Sequence, residues 1–84
     1  MKIYVYAISS TTRSYIYVGM SDNLRRRLEQ HNAGKNRTTK PYLPFVLIWV
    51  EEFPSRSEAR KREKYLKSGV GKEFLKACKP ISLD

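Results

Sequence analysis

Two segments of this chain place ionisable side chains where apolar ones belong. Read as a helix, Leu24-Arg25-Arg26-Arg27-Leu28-Glu29-Gln30-His31-Asn32 turns by about 100° per residue. With Leu24 at zero, Leu28 falls at about +40°, His31 at about −20° and Arg27 at about −60°. Arg27 and His31 therefore lie on or beside the leucine face, while Arg25 and Arg26 point away. Arg27 is then a partly buried guanidinium, either one put to use or one that snorkels from the edge of the core. A second segment, Ser55 to Ser68, behaves alike. With Ala59 at zero, Glu63 falls at about +40° and Leu66 at about −20°. An inward carboxylate is expensive without a partner, which a metal ion or an arginine would provide. The plainer alternative is a pair with Lys67 one turn on.

Tyrosines supply the remaining chemistry. Tyr4 and Tyr6 share one face of a first strand, and Tyr15 and Tyr17 share one face of a second. Strand tyrosines commonly pack with a polar tip, and each hydroxyl needs a hydrogen-bond partner once buried.

The elements that must position these residues follow from the local chemistry. Ile3 to Ile8 and Tyr15 to Val18 are rich in β-branched and aromatic types, and Ser9 to Ser14 between them is turn chemistry, so a β-hairpin is expected. Gly19 closes the second strand. Ser21 or Asp22 caps a helix beginning at Asn23, which stops at about Gly34. Lys35 to Pro44 reads as a basic loop, and the apolar run Phe45 to Val50 as a central strand. Ser55-Arg56-Ser57-Glu58 matches the S-x-x-E capping box of a helix running to about Ser68, with Gly69 as its stop. A short last helix spans Lys72 to Lys79. The expected fold class is α+β, with a small three-stranded antiparallel sheet flanked by helices in the order β-β-α-β-α-α. At 84 residues the chain is expected to form one domain, residues 1–84.

Charge narrows the partner. Lys plus Arg number 17 against 8 Asp plus Glu, a formal net charge of +9. Such a surface favours polyanions. Membrane binding calls for a basic helix with bulky apolar residues opposite, and neither basic segment has that face, so nucleic acid is the expected partner. Cys78, the sole cysteine, excludes an internal disulfide and a multi-cysteine zinc site, and suits a reducing compartment. The start lacks a signal-peptide run and no stretch reaches the length of a membrane span. A cytoplasmic location is expected.

Taken together, Tyr4-Val5-Tyr6, Tyr17-Val18-Gly19, the Leu24–Asn32 segment and Glu63 within Arg62-Glu63-Lys64-Tyr65-Leu66-Lys67 resemble the signature of the GIY-YIG nuclease family. The likeness is greatest to its small stand-alone UvrC-like endonuclease domains and runs from Ile3 to about Leu75. By this resemblance, Tyr6 and Tyr17 line the site beside the scissile phosphate, and Gly19 lets the chain turn closely from strand to helix. Arg27 stabilises the phosphate, His31 is a site residue, and Glu63 is the single carboxylate that holds Mg²⁺ or Mn²⁺. Tyr4 stands where the motif has glycine, Val5 and Val18 where it has isoleucine, and no late Asn or Asp is matched after Gly71.

The resemblance implies a metal-dependent endonuclease acting on DNA, one strand per active site, with repair among its roles. Arg27 can hold a phosphate through two N–H groups. Tyr6 is the candidate to orient or deprotonate water, its pKa lowered by Arg27 and the metal. His31 is the rival base, its ordinary pKa of about 6.5 being better matched to neutral pH. Arg37 and Lys40, in the basic loop, are expected to grip the nucleic-acid backbone. The competing readings are an inactive nucleic-acid-binding module of the same fold and a domain that binds an acidic protein.

Overall fold

The computed structural model describes residues 2–82. Strand β1 (Ile3–Ser10) lies between β2 (Ile16–Ser21) and β3 (Phe45–Phe53), and both pairings are antiparallel. Helix α1 (Leu24–Asn32) follows β2; α2 (Arg56–Lys67) and α3 (Gly69–Lys76) follow β3. The order β-β-α-β-α-α and the three-stranded antiparallel sheet are those expected.

Alternation along β1 divides the core in two. Ile3, Val5 and Ala7 point to one face, where they meet Val18, Ile48 and the α2–α3 residues Ala59, Leu66 and Leu75. Tyr6 and Ile8 point to the other, against Leu24 and Leu28 of α1 together with Phe45 and Leu47. Both faces of β1 are covered, so β1 takes the central place that the apolar run of β3 suggested for itself. The correction has a visible cause. In β3, Ala7 opposes Trp49 while Ile8 opposes Leu47, leaving Ile48 as an extra residue at a β-bulge. Alternation sends Leu47 and Ile48 to opposite cores and the bulge turns Ile48 and Trp49 to the same one; both faces of β3 meet apolar partners, so an edge strand reads as a continuous apolar run. Its outer edge is partly closed by the Ile81 N–H, which donates to the Leu47 carbonyl at 2.7 Å.

Element ends differ in instructive ways. β2 continues past Gly19 to Ser21, and α1 is capped by Asn23, whose side chain accepts from the Arg26 N–H at 3.2 Å. Ser21, one of the two expected caps, instead accepts from the Asn23 N–H at 3.0 Å and holds the cap residue in place. Gly34 follows the helix with φ 75°, the left-handed conformation that ends a helix without steric penalty. Ser55 caps α2 by accepting from the Glu58 N–H, as the capping box predicts.

Gly69 does not stop the second basic helix so much as start the third. Ser68 closes α2 and caps α3, accepting from the Gly71 N–H at 3.3 Å. A Cβ on Gly71 would fall 2.5 Å from the Leu66 Cα, so only glycine lets α3 cross this close to α2. α3 thereby begins earlier than Lys72 and ends at Lys76.

Two further contacts set the site's frame. The Asn32 carboxamide pairs with the backbone of Phe45, accepting from its N–H at 2.8 Å and donating to its carbonyl at 3.3 Å. This ties the end of α1 to the start of β3. The basic loop between them contains a 3₁₀ turn, Lys40–Tyr42, and the hairpin tip is bonded to the residues after it.

Candidate active site

His31 projects from α1 into full burial, ringed by Tyr6, Tyr17 and Phe45 with centroids 5.9, 5.0 and 6.3 Å away. Both its nitrogens are engaged. Nε2 lies 2.8 Å from the Tyr6 hydroxyl and Nδ1 lies 2.9 Å from the Thr39 hydroxyl. Thr39, also fully buried, donates to the Asn36 carbonyl at 3.4 Å. A hydroxyl has one proton to give. With that proton spent on Asn36, Thr39 accepts from Nδ1–H, which leaves Nε2 bare to accept from Tyr6. The network thus assigns the imidazole tautomer. Burial first, and the charge of Arg27 second, lower the His31 pKa below 6.5 and keep the ring neutral.

Arg27 sits one turn earlier on α1, half-buried. Its guanidinium donates to the Gln30 carboxamide at 3.3 Å and lies against the Tyr6 and Tyr17 phenols, which favour its charged form, Tyr6 most strongly. Its Nε is buried with no hydrogen-bond partner. Arg27, Gln30, His31, Lys35 and Asn36 line an open cleft of about 100 Å³, room for about three waters.

Tyr6 is closed off from solvent, and burial dominates its acidity. Its pKa is pushed up to about 12, the hydrogen bond with Arg27 opposing burial without overcoming it. Arg27 thus lowers the Tyr6 pKa as expected, but burial outweighs it: in the protein by itself Tyr6 is a phenol, not a phenolate.

Gly19 pairs across the sheet with Tyr6. A Cβ there would stand 2.7 Å from the Tyr6 hydroxyl oxygen and 2.9 Å from the Tyr17 ring. Glycine is required because two phenols occupy its side-chain space. The expected turn from strand to helix at this residue is not found, since β2 runs two residues further.

Glu63 lies on α2, with its side chain 15% exposed. Its carboxylate meets Lys67 at 3.4 Å, and that lysine side chain is 53% exposed. Both readings of the helical wheel hold together: the carboxylate is inward and has its neighbour one turn on. Its charge also works against ionisation of Tyr6, which places it within electrostatic reach of the phenol.

The chain matches the model of the GIY-YIG catalytic domain over residues 2–76. It belongs to the GIY-YIG family. It is 40% identical over 76 residues to a UPF0213 protein of Staphylococcus haemolyticus, covering 89% of this chain and 92% of that one. A UPF0213 protein of Halobacterium salinarum is 37% identical over 75 residues, covering 86% and 96%. The solution NMR structure of a UPF0213 protein from Bacillus halodurans superposes with a TM-score of 0.55 at 32% identity, covering 92% of this chain and 84% of that one.

Within this GIY-YIG fold, Tyr6, Tyr17, Arg27 and His31 come together, and Glu63 stands within electrostatic reach of the group. Arg37 and Lys40 are exposed and do not line the cleft. Lys35 and Asn36 do. Thr39, which the sequence offers only as one of several loop hydroxyls, is the partner of His31. Asn36 forms an Asx turn by accepting from the Thr38 and Thr39 N–H groups at 2.9 and 3.3 Å. An Asn two residues ahead of Thr-Thr is turn chemistry and was the available signal.

For a divalent cation, no group of three His, Cys, Asp or Glu stands together among the described residues. The donor set is one inward carboxylate with an exposed lysine as its ion-pair partner. That set fits a hard ion that keeps most of its waters, Mg²⁺ or Mn²⁺, and not a zinc-type cage. No helix of the described residues is long and apolar enough to cross a membrane.

Proposed function

We propose that this chain is a metal-dependent endonuclease that hydrolyses phosphodiester bonds in DNA, one strand per active site. The observation that carries the reading is the partnerless, buried Nε of Arg27 beside the Tyr6–His31–Thr39 hydrogen-bonded series. A buried donor without an acceptor is unfavourable, and a phosphate oxygen that enters from the adjacent cleft as the guanidinium shifts would relieve it. GIY-YIG membership and the net charge of +9 support the same substrate class.

The residues divide the chemistry as follows. Arg27 holds the phosphate and takes up charge as it grows in the transition state. Tyr17, against the same guanidinium, orients it. Glu63 would hold Mg²⁺ or Mn²⁺, which when bound offsets charge on the phosphate and on the departing oxygen.

Tyr6 and His31 act as one base. A water admitted to the buried Tyr6 oxygen as substrate binds passes a proton to that oxygen while the Tyr6 hydroxyl proton moves to Nε2 of His31. The water oxygen bonds to phosphorus and the strand's bridging oxygen leaves, taking a proton from solvent. His31 ends as an imidazolium whose Nδ1–H still donates to Thr39. No standing phenolate is needed, which suits a phenol with a pKa of about 12. Tyr6 positions the water, and His31 is the proton's destination.

The test is cleavage of a labelled panel (duplex, flap, junction and single-stranded DNA, with RNA counterparts) in Mg²⁺ or Mn²⁺, comparing the wild-type protein with Glu63→Ala. Metal-dependent cutting that disappears in Glu63→Ala supports the reading. Salt-sensitive binding without cutting would instead identify an inactive binding module of this fold. Equal cutting by both proteins would remove Glu63 as the metal's ligand.

A further inference from the structure

An aromatic stack lies at the hairpin end of the site, outside the machinery described above. The Tyr15 and Tyr42 rings are parallel within 12°, their centroids 4.0 Å apart. On the inner side Tyr15 meets Phe45 at 6.3 Å, and Phe45 meets His31 at the same distance. On the outer side the Arg13 guanidinium lies over Tyr42 at 5.8 Å, the outer limit of a cation–π contact. The series Phe45, Tyr15, Tyr42, Arg13 thus runs from the buried imidazole outward and ends in an exposed, loosely seated cation. Lys40 and Pro41, exposed in the same 3₁₀ turn as Tyr42, flank it.

The stack is not needed to join the hairpin to the loop. Four hydrogen bonds already do so: the Ser10 hydroxyl to the Tyr42 carbonyl at 2.7 Å, the Thr11 N–H and hydroxyl to the Pro44 carbonyl at 3.0 and 3.1 Å, and the Thr12 hydroxyl to the Leu43 carbonyl at 3.3 Å. Those bonds make a rigid mount for two half-exposed phenol rings. A rigid π-face beside cations is the arrangement on which unpaired bases stack while their phosphates are held electrostatically. A paired base, with both its faces already stacked, gains nothing from it.

We infer that the Tyr15–Tyr42 stack is a docking platform for an unpaired nucleobase, which displaces the loosely seated Arg13 guanidinium from the outer face of Tyr42 while Arg13 and Lys40 take the flanking phosphates. The inference rests on the nucleic-acid reading above and deepens it. The favoured substrate carries a single-stranded segment next to the bond that is cut, and uniform duplex is the poorer ligand.

The experiment measures binding without divalent ions, so no cleavage is involved. A labelled oligothymidine is compared with an abasic oligomer of equal length and charge. Wild type is expected to prefer the oligothymidine by about tenfold. Tyr42→Leu, which keeps apolar volume and removes the π-face, should bring the two affinities together, and Tyr42→Phe should keep the preference. Equal wild-type affinities, or a preference undiminished in Tyr42→Leu, would overturn the platform. Photo-crosslinking of the wild-type protein to an iodouracil-containing oligomer gives a second measurement that needs no variant. Adducts at Tyr42 or Tyr15 support the assignment, and adducts confined to other residues refute it. Cleavage of DNA without base preference would sink the platform alone. Base-dependent binding without any cleavage would leave the platform standing and sink the nuclease.

Discussion

The Tyr6 hydroxyl lies 2.8 Å from Nε2 of His31, and both rings are wholly buried. One comes from the central strand and the other from α1. The contact proposed to move a proton is therefore also a contact that keys the helix to the sheet. Its removal should register in stability and in chemistry at once, and a variant is needed that separates the two.

Tyr6→Phe is that variant. The ring stays and the hydroxyl goes, leaving Nε2 buried without a donor. Stability should fall by about 1–3 kcal/mol, and cleavage at saturating metal should fall by about 100-fold or more. Denaturant unfolding and single-turnover cleavage give the two readouts. A variant that is destabilised yet cuts at the wild-type rate would remove Tyr6 from the chemistry and leave it as packing.

Thr39→Val tests the tautomer. Valine fills the same space but cannot accept from Nδ1–H, so the ring loses the bond that holds its proton on Nδ1. The expected loss is about 1–2 kcal/mol of stability and a lower kcat with little change in KM. Thr39→Ser should recover most of both. Nitrogen NMR shifts of the His31 ring read the proton's position directly. A wild-type ring found protonated on Nε2 would reverse the direction of the whole series.

The pH profile follows from two opposite shifts. The His31 pKa is lowered in the folded protein from its ordinary 6.5. As pH falls below about 6.5 the unfolded chain takes up a proton that the native state resists, so stability declines on acidification. Tyr6 is raised from 10.0 to about 12. Between those values the unfolded chain loses a proton that the native state keeps, so stability declines as pH rises through that window. Urea midpoints measured across pH should show both declines, the acid one absent in His31→Gln and the alkaline one reduced in Tyr6→Phe. An acid limb unchanged in His31→Gln would mean that other groups carry it.

Much of this site is legible in the sequence because a helix has a fixed angular period. The period alone brings His31 and Glu63 inward, and burial of the imidazole and near-burial of the carboxylate follow from their places among Leu24, Leu28, Ala59 and Leu66. Thr39 is different. Its partner lies eight residues away across a loop, and no periodic rule connects them. Gly19 is a similar case: sequence marks a special backbone position, but the reason lies in two tyrosine side chains that meet over it. The place of β1 at the centre was hidden because Phe45 to Val50 of β3 is a continuous apolar run, whereas Tyr4 and Tyr6 put polar tips on one face of β1. Only α1, folded over that face, makes it interior.

Gly19→Ala turns that relationship into a measurement. The added methyl would stand 2.7 Å from the Tyr6 oxygen and 2.9 Å from the Tyr17 ring, so one or both phenols must move. Overpacking of this kind costs about 1–3 kcal/mol, and it displaces the oxygen that positions the water. In a Tyr6→Phe background the closest of those atoms is gone, so the same substitution should cost distinctly less. Simple additivity in the double variant would show that the crowding lies with the ring carbons that remain, the Cζ of position 6 and the Tyr17 ring, each 2.9 Å from the added methyl.

Lys35, rather than Arg37 or Lys40, should matter most to catalytic efficiency among the loop cations. It alone of the three lines the cleft with Arg27 and His31, brought there by the turn at Gly34 and by its own N–H donating to the Gln30 carbonyl at 3.1 Å. Lys35→Gln is expected to lower kcat/KM by about five- to tenfold, because it removes a cation from where transition-state charge grows. Arg37→Gln and Lys40→Gln should leave kcat near wild type and reduce the salt dependence of binding by about one ion each. Steady-state kinetics at two salt concentrations distinguish the cases. If Arg37→Gln depresses kcat and Lys35→Gln does not, the phosphate grip belongs to the outer loop, and the cleft beside Arg27 is not the path the substrate takes.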